Sequence, residues 1–80
     1  MDIYVGNIPW KVDDDELKEL FSQYGDVESA TVIKYKDTNR SKGFGFVEMD
    51  DESAQKAIDA LEGYEMDGRP LKVNQSRGKQ

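Results

Sequence analysis

Residues 42–49 read Lys-Gly-Phe-Gly-Phe-Val-Glu-Met, and the alternation in this run constrains the fold more than any other stretch of the chain. Phe44 and Phe46 are two apart, so on a strand they project from one face, and Lys42 shares their parity. Gly43 and Gly45 have the other parity, where missing side chains are expected to leave room for a layer packed close beneath. Val47 and Met49 follow the glycines in parity and are expected in the core. Two rings and a cation on one strand face suit a flat ligand that carries phosphates, because planar groups stack on rings and lysine meets the negative charge. A fully buried strand would account for Phe44, Phe46 and Val47 as well if this segment stood alone.

It does not stand alone. Near the N-terminus, Ile3-Tyr4-Val5-Gly6-Asn7-Ile8 sets Ile3 and Val5 on one side of a strand and Tyr4 on the other. The octapeptide fits the pattern K/R-G-F/Y-G/A-F-V-x-F/Y at seven of eight positions, departing only at Met49, where an aromatic is usual. Together the two segments resemble the paired motifs of the RNA recognition motif (RRM) family, and the resemblance covers Ile3 to about Asn74. It implies that the two strands lie side by side at the centre of a sheet, with Tyr4, Phe44 and Phe46 on one patch that stacks bases. It further implies that Lys42 contacts phosphate, and that Arg40, Lys72 and Asn74 sit where relatives touch backbone or base edges. Asn7 is expected to organise the strand exit. The Phe-Val-Glu-Met ending and the short chain look most like the small single-domain RRM proteins of bacteria.

Between the motifs, Asp13 or Asp14 is placed to cap a helix whose stripe is Leu17, Leu20, Phe21 and Tyr24, ended by Gly25-Asp26. A strand around residues 29–35 should turn Ala30 and Val32 inward and Thr31, Ile33 and Tyr35 outward, along the flank of the aromatic patch. The polar loop 36–41 contains Asn39, the residue best suited there to a left-handed conformation. Asp50 or Asp51 caps a second helix with Ala54, Ala57, Ile58 and Leu61 inward, and Gly63 stops it. Gly68-Arg69-Pro70 then turns into a last strand with Leu71 and Val73 inward and Lys72 and Asn74 outward. The order is β-α-β-β-α-β, an α+β ferredoxin-like arrangement in which two helices cover one face of a four-stranded antiparallel sheet. Residues 1–75 are expected to form the domain, and 76–80 a flexible basic tail. Trp10, in the loop after Pro9, is expected to pack against its own domain.

Composition bounds the chemistry. With no cysteine and no histidine, the chain lacks disulfides, thiolate chemistry and the usual zinc ligands. No cofactor or metal is expected. No apolar run has the length of a membrane span or signal-peptide core, so the chain reads as a cytoplasmic protein with no membrane partner. It starts almost at once on a strand and ends soon after another, which suggests a protein consisting of little besides its domain. The net charge of −6 runs against the basic balance usual for nucleic-acid binders. Its distribution eases the conflict. Acids crowd both helices, whereas Lys34, Lys36, Arg40 and Lys42 gather before and at the octapeptide, and no acid follows Arg69. The expected molecule is acidic behind and basic in front.

These readings converge on single-stranded RNA bound across the sheet, about two to four nucleotides with modest sequence preference. Single-stranded DNA suits the same rings, because stacking does not require the 2′-hydroxyl. The alternative is an RRM-fold protein-interaction module that offers its acidic helix faces to a basic protein partner. An enzyme, such as a small phosphatase, is disfavoured because no nucleophile and base stand at a workable spacing.

Overall fold

Apolar alternation at the two ends of the chain and in its middle closes into one sheet. The computed structural model describes residues 1–76. In chain order its elements are β1 (Asp2–Gly6), α1 (Asp14–Ser22), β2 (Val27–Lys34), β3 (Ser41–Met49), α2 (Asp51–Leu61), β4 (Glu65–Met66), β5 (Arg69–Pro70) and β6 (Lys72–Gln75). The main sheet has the order β2-β3-β1-β6, all antiparallel, so the two motif strands are the central pair. This is the expected ferredoxin-like fold.

Both helices start where a carboxylate captures a free amide. Asp13 caps α1 by accepting from the Glu16 N–H at 3.0 Å, and Asp50 caps α2 by accepting from the Ser53 N–H at 3.1 Å. The bonds from Ser53 hold the Asp50 carboxyl below the usual carboxylate range. The helices lay Leu17, Leu20, Phe21, Ala54, Ala57 and Leu61 against Ile3, Val5, Val32, Val47, Met49 and Val73 of the sheet. Met49, the one departure from the octapeptide pattern, is fully buried there, as its parity requires. Burial of a side chain such as Phe21 contributes about 1.5–3 kcal/mol. Ile8 and Val12, in the loop after β1, belong to the same core.

Two further carboxylates tie helices to the rims of the sheet. Asp14 in α1 accepts the Val32 N–H of edge strand β2 at 2.7 Å, and Glu62, just past α2, accepts the Val73 N–H of edge strand β6 at 2.6 Å. The acids of the helices therefore do more than solvate a surface.

Three local features differ from the sequence reading. The segment before the last strand is a small hairpin, β4 with β5, turned through Asp67 and Gly68, both at positive φ. An Asp-Gly pair is a strong hairpin signal. Secondly, β2 begins at Val27, two residues before the expected start, because its pairing with β3 shifts register after Val27 and so admits the extra residues. Thirdly, Ser76 is held by the sheet, its N–H donating to the Asp2 carbonyl at 2.8 Å. The rest of the expected tail, residues 77–80, lies outside the described residues. Asn39 takes the left-handed conformation foreseen for it, with φ 62°.

Candidate nucleic-acid interface

The helices occupy one face of the sheet, and among the described residues nothing covers the other. On that face Tyr4 stands across from Phe46, and Gly6 across from Phe44. The three rings form a near-equilateral cluster, with centroids 6.0 Å apart for Tyr4–Phe44, 5.9 Å for Tyr4–Phe46 and 6.0 Å for Phe44–Phe46. The angles between ring planes are 31° for Tyr4–Phe44, 63° for Tyr4–Phe46 and 88° for Phe44–Phe46, so Phe46 meets both other rings in an edge-type arrangement. Phe46 is 37% exposed, a high figure for a phenylalanine on a central strand.

Glycines shape the patch in a way that differs from the expected one. Gly45 does not make room for a layer beneath the strand. A Cβ there would collide with the carbonyl oxygen of Thr31 and lie 3.0 Å from Val32 Cα, so the missing side chain lets β2 approach β3 closely. Gly43 is needed for its conformation, φ 89°, since space around it is open. That twist coincides with the second register shift, between Val32 and Lys34. Gly6 was not singled out by the sequence. It lies under the Tyr4 ring, and the signal for it was a glycine two residues after an aromatic on the same strand face.

The polar candidates fall into two groups. Asn74 pairs in register with Tyr4, and Lys72 with Gly6, so both extend the patch across β6 and both are exposed. Lys42 lies at the other side, its Nζ 5.2 Å from the centroid of the Tyr35 ring, which is 53% exposed. Arg40 is in the β2–β3 turn, where its carbonyl accepts the Tyr35 N–H at 2.8 Å and its side chain is exposed. The structure therefore joins Tyr4, Phe44, Phe46, Lys72 and Asn74 on one surface, with Lys42 and Tyr35 on its flank and Arg40 on the turn beyond. Thr31, in register with Phe46, borders the rings from β2. Asn7, at φ 58°, donates from Nδ2 to the Pro70 carbonyl at 2.8 Å and so fixes the strand exit, as foreseen.

Two expectations need correction. Trp10 does not pack into its own domain: it is 73% exposed, because the core space beside its loop is taken by Ile8 and Val12. The open face is also not uniformly basic. Asp2 and Glu48 stand opposite each other at one end of it, and the cations Lys42 and Lys72 stand at the other. The face is graded along the strands.

Comparison with known proteins adds independent evidence. The profile of the RNA recognition motif family matches residues 3–72. A 28 kDa ribonucleoprotein of the chloroplast from Spinacia oleracea is 52% identical over 73 residues, which is 90% of this chain and 31% of that protein. Among solved structures, RNA Binding Protein PG1 superposes with a TM-score of 0.93 at 47% identity, covering 100% of this chain and 98% of the other. The Rna15 RRM with bound RNA (GU) superposes with a TM-score of 0.87 at 33% identity, covering 96% and 83%. The chain spans 23–31% of the length of the chloroplast relatives it matches. These curated relatives are plant proteins, not the small bacterial ones that the sequence brought to mind.

Proposed function

Because the chain belongs to the RNA recognition motif family, we propose that it binds single-stranded RNA on the open face of its sheet, through a domain formed by residues 1–75. The observation that carries this reading is the cluster of Tyr4, Phe44 and Phe46, three rings within 6.0 Å of one another on a face that no helix covers. Bases stack on these rings, and each stack contributes about 1–3 kcal/mol. Lys42 and Lys72 neutralise phosphates at the basic end, Asn74 offers hydrogen bonds to a base edge beside Tyr4, and Arg40 reaches the backbone from its turn. The reading assigns no catalytic step to the chain.

Single-stranded DNA offers the same stacking surfaces, so a preference for RNA must come from contacts to the 2′-hydroxyl. A basic protein partner on the acidic outer face of α1, where Asp15, Glu16 and Glu19 lie, is compatible with RNA on the opposite side of the sheet. A cytoplasmic location stands as a proposal alongside the chloroplast named for the spinach relative.

The test is a titration at low salt with a randomised pool of short single-stranded RNA, comparing the parent with a Phe44→Ala/Phe46→Ala double variant. Circular dichroism establishes that both are folded. Binding by the parent and near-loss in the folded variant supports the reading. Equal binding by both, or none by the parent, overturns it and directs attention to the helices.

A further inference from the structure

Paired strands arrange the open face in rows, because alternate residues of each strand share it. At the basic end Lys72, Gly6 and Phe44 are aligned, with Lys42 two residues before Phe44 on β3. The middle row is Asn74, Tyr4, Phe46 and Thr31. Beyond it lies a row of Asp2, Glu48 and Ser29, where β6 ends with the Ser76 N–H on the Asp2 carbonyl at 2.8 Å.

That last row works against the fold. Asp2 and Glu48 are like charges directly opposed on an antiparallel pair, an arrangement that destabilises a sheet. Among the described residues, neither carboxylate has an ion pair or a side-chain hydrogen bond to offset the repulsion. Glu48 is exposed and Asp2 half-buried, so their oxygens are open to a partner from outside.

The rows also orient a nucleotide. Its phosphate is drawn to Lys42 and Lys72 and repelled by Asp2 and Glu48. Its base stacks on the middle row, so the base edge remote from the sugar points to the carboxylates. Glu48 stands two residues beyond Phe46 on β3, and Asp2 two before Tyr4 on β1, so a base on either ring meets a carboxylate. An ionised carboxylate only accepts hydrogen bonds. Guanine offers it two adjacent donors, N1–H and N2–H, which suit its two oxygens. Adenine and cytosine offer one amino group beside an acceptor nitrogen. Uracil offers one donor between two carbonyl oxygens, which face the negative charge.

Building on the proposed RNA binding, we infer that Asp2 and Glu48 are specificity-determining residues that select guanine on the middle row by accepting from N1–H and N2–H. The rings supply affinity for any base, and the acid row discriminates among them.

Two labelled RNAs test this, an oligouridine and the same strand with one central guanosine, each titrated by anisotropy. The guanosine strand should bind about tenfold tighter, the effect of a good bidentate pair. Inosine at that position, which lacks the 2-amino group, should lose most of the gain. Asp2→Ala/Glu48→Ala, shown to be folded by circular dichroism, should tighten oligouridine binding and bring the two affinities together. Glu48→Gln, which keeps the shape but replaces an acceptor by a donor, should also lower the ratio and serves if the double variant does not fold. If the acids act by repulsion alone, the double variant tightens both strands by one factor and the ratio is unchanged. That result, or equal binding of both strands by the parent, overturns the inference, while loss of binding in Phe44→Ala/Phe46→Ala keeps the sheet reading. Absence of RNA binding by the parent overturns both.

Discussion

The far end of the Tyr4 ring lies over Gly6, so close that a Cβ at position 6 would sit 2.9 Å from ring atoms Cε2 and Cζ. This contact carries the ring along β1 to the residue paired with Phe44, whose ring centroid is 6.0 Å away. Gly6→Ala should lift the ring and weaken RNA binding about tenfold, as expected when one stack is lost. The cost in stability should be small, because the atoms displaced are the far end of a half-buried side chain on the open face, outside the core. Parallel anisotropy titrations and urea denaturation of parent and variant check both halves.

Phe44→Ala and Phe46→Ala, taken singly, should each weaken binding by about 1–3 kcal/mol. Neither ring belongs to the core, so the thermal midpoint should change far less than for Phe21→Ala, where a fully buried ring is removed. Loss of fold in the surface variants would mean that the rings serve the sheet and not a ligand.

Engagement of about three phosphates predicts that log K falls with log salt with a slope of roughly −2, given about 0.7 per phosphate for single strands. Lys42→Ala should reduce the slope by roughly 0.7. A parent slope near zero would remove the cations from the interface.

Gly45→Ala should destabilise the protein by about 2 kcal/mol, the usual cost of forcing extra volume into a filled space. The obstacle is the backbone of Thr31 and Val32, which cannot rotate away as a side chain can. An unchanged urea midpoint would show that β2 yields freely.

The Asp50 carboxyl, held below its ordinary range by Ser53, favours the folded state when ionised. Its contribution is complete above the ordinary carboxylate pKa and disappears as the pH falls through the lowered folded value. Asp50→Asn should therefore flatten the acid limb of a stability-versus-pH curve while remaining close to the parent at strongly acid pH.

Much of this architecture was legible in residue spacing. The parity of Phe44, Phe46 and Val47 in β3, and of Ile3, Tyr4 and Val5 in β1, placed three rings on one face and the core on the other. The stripes from Leu17 to Phe21 and from Ala54 to Leu61 located both helices, and the aspartates before them located both caps. Features that depend on tertiary approach were not legible in the same way. The role of Gly45 depends on how near β2 comes, and the exposure of Trp10 depends on Ile8 and Val12 having filled the core first. The grading of charge along the open face required the register that sets Asp2 opposite Glu48. The β4–β5 hairpin was different: its Asp67-Gly68 pair was in plain view, and the glycine was assigned to the entry of the last strand instead.

Asp14 and Glu62 each occupy an amide on an outermost strand, one at either rim of the sheet. An unpaired strand edge is a template on which another chain can add, and both rims here have one such donor already engaged by an acceptor that carries negative charge. A molecule with an aromatic cluster on its open face, Phe46 exposed and Tyr4 and Phe44 half-buried, needs some barrier to sticking to its own copies, and these two carboxylates supply it sideways, where the rings cannot. Neutralising both, as Asp14→Asn with Glu62→Gln, would convert a self-contained unit into one with two adhesive margins, and sedimentation at high concentration would register the change as growth in mass.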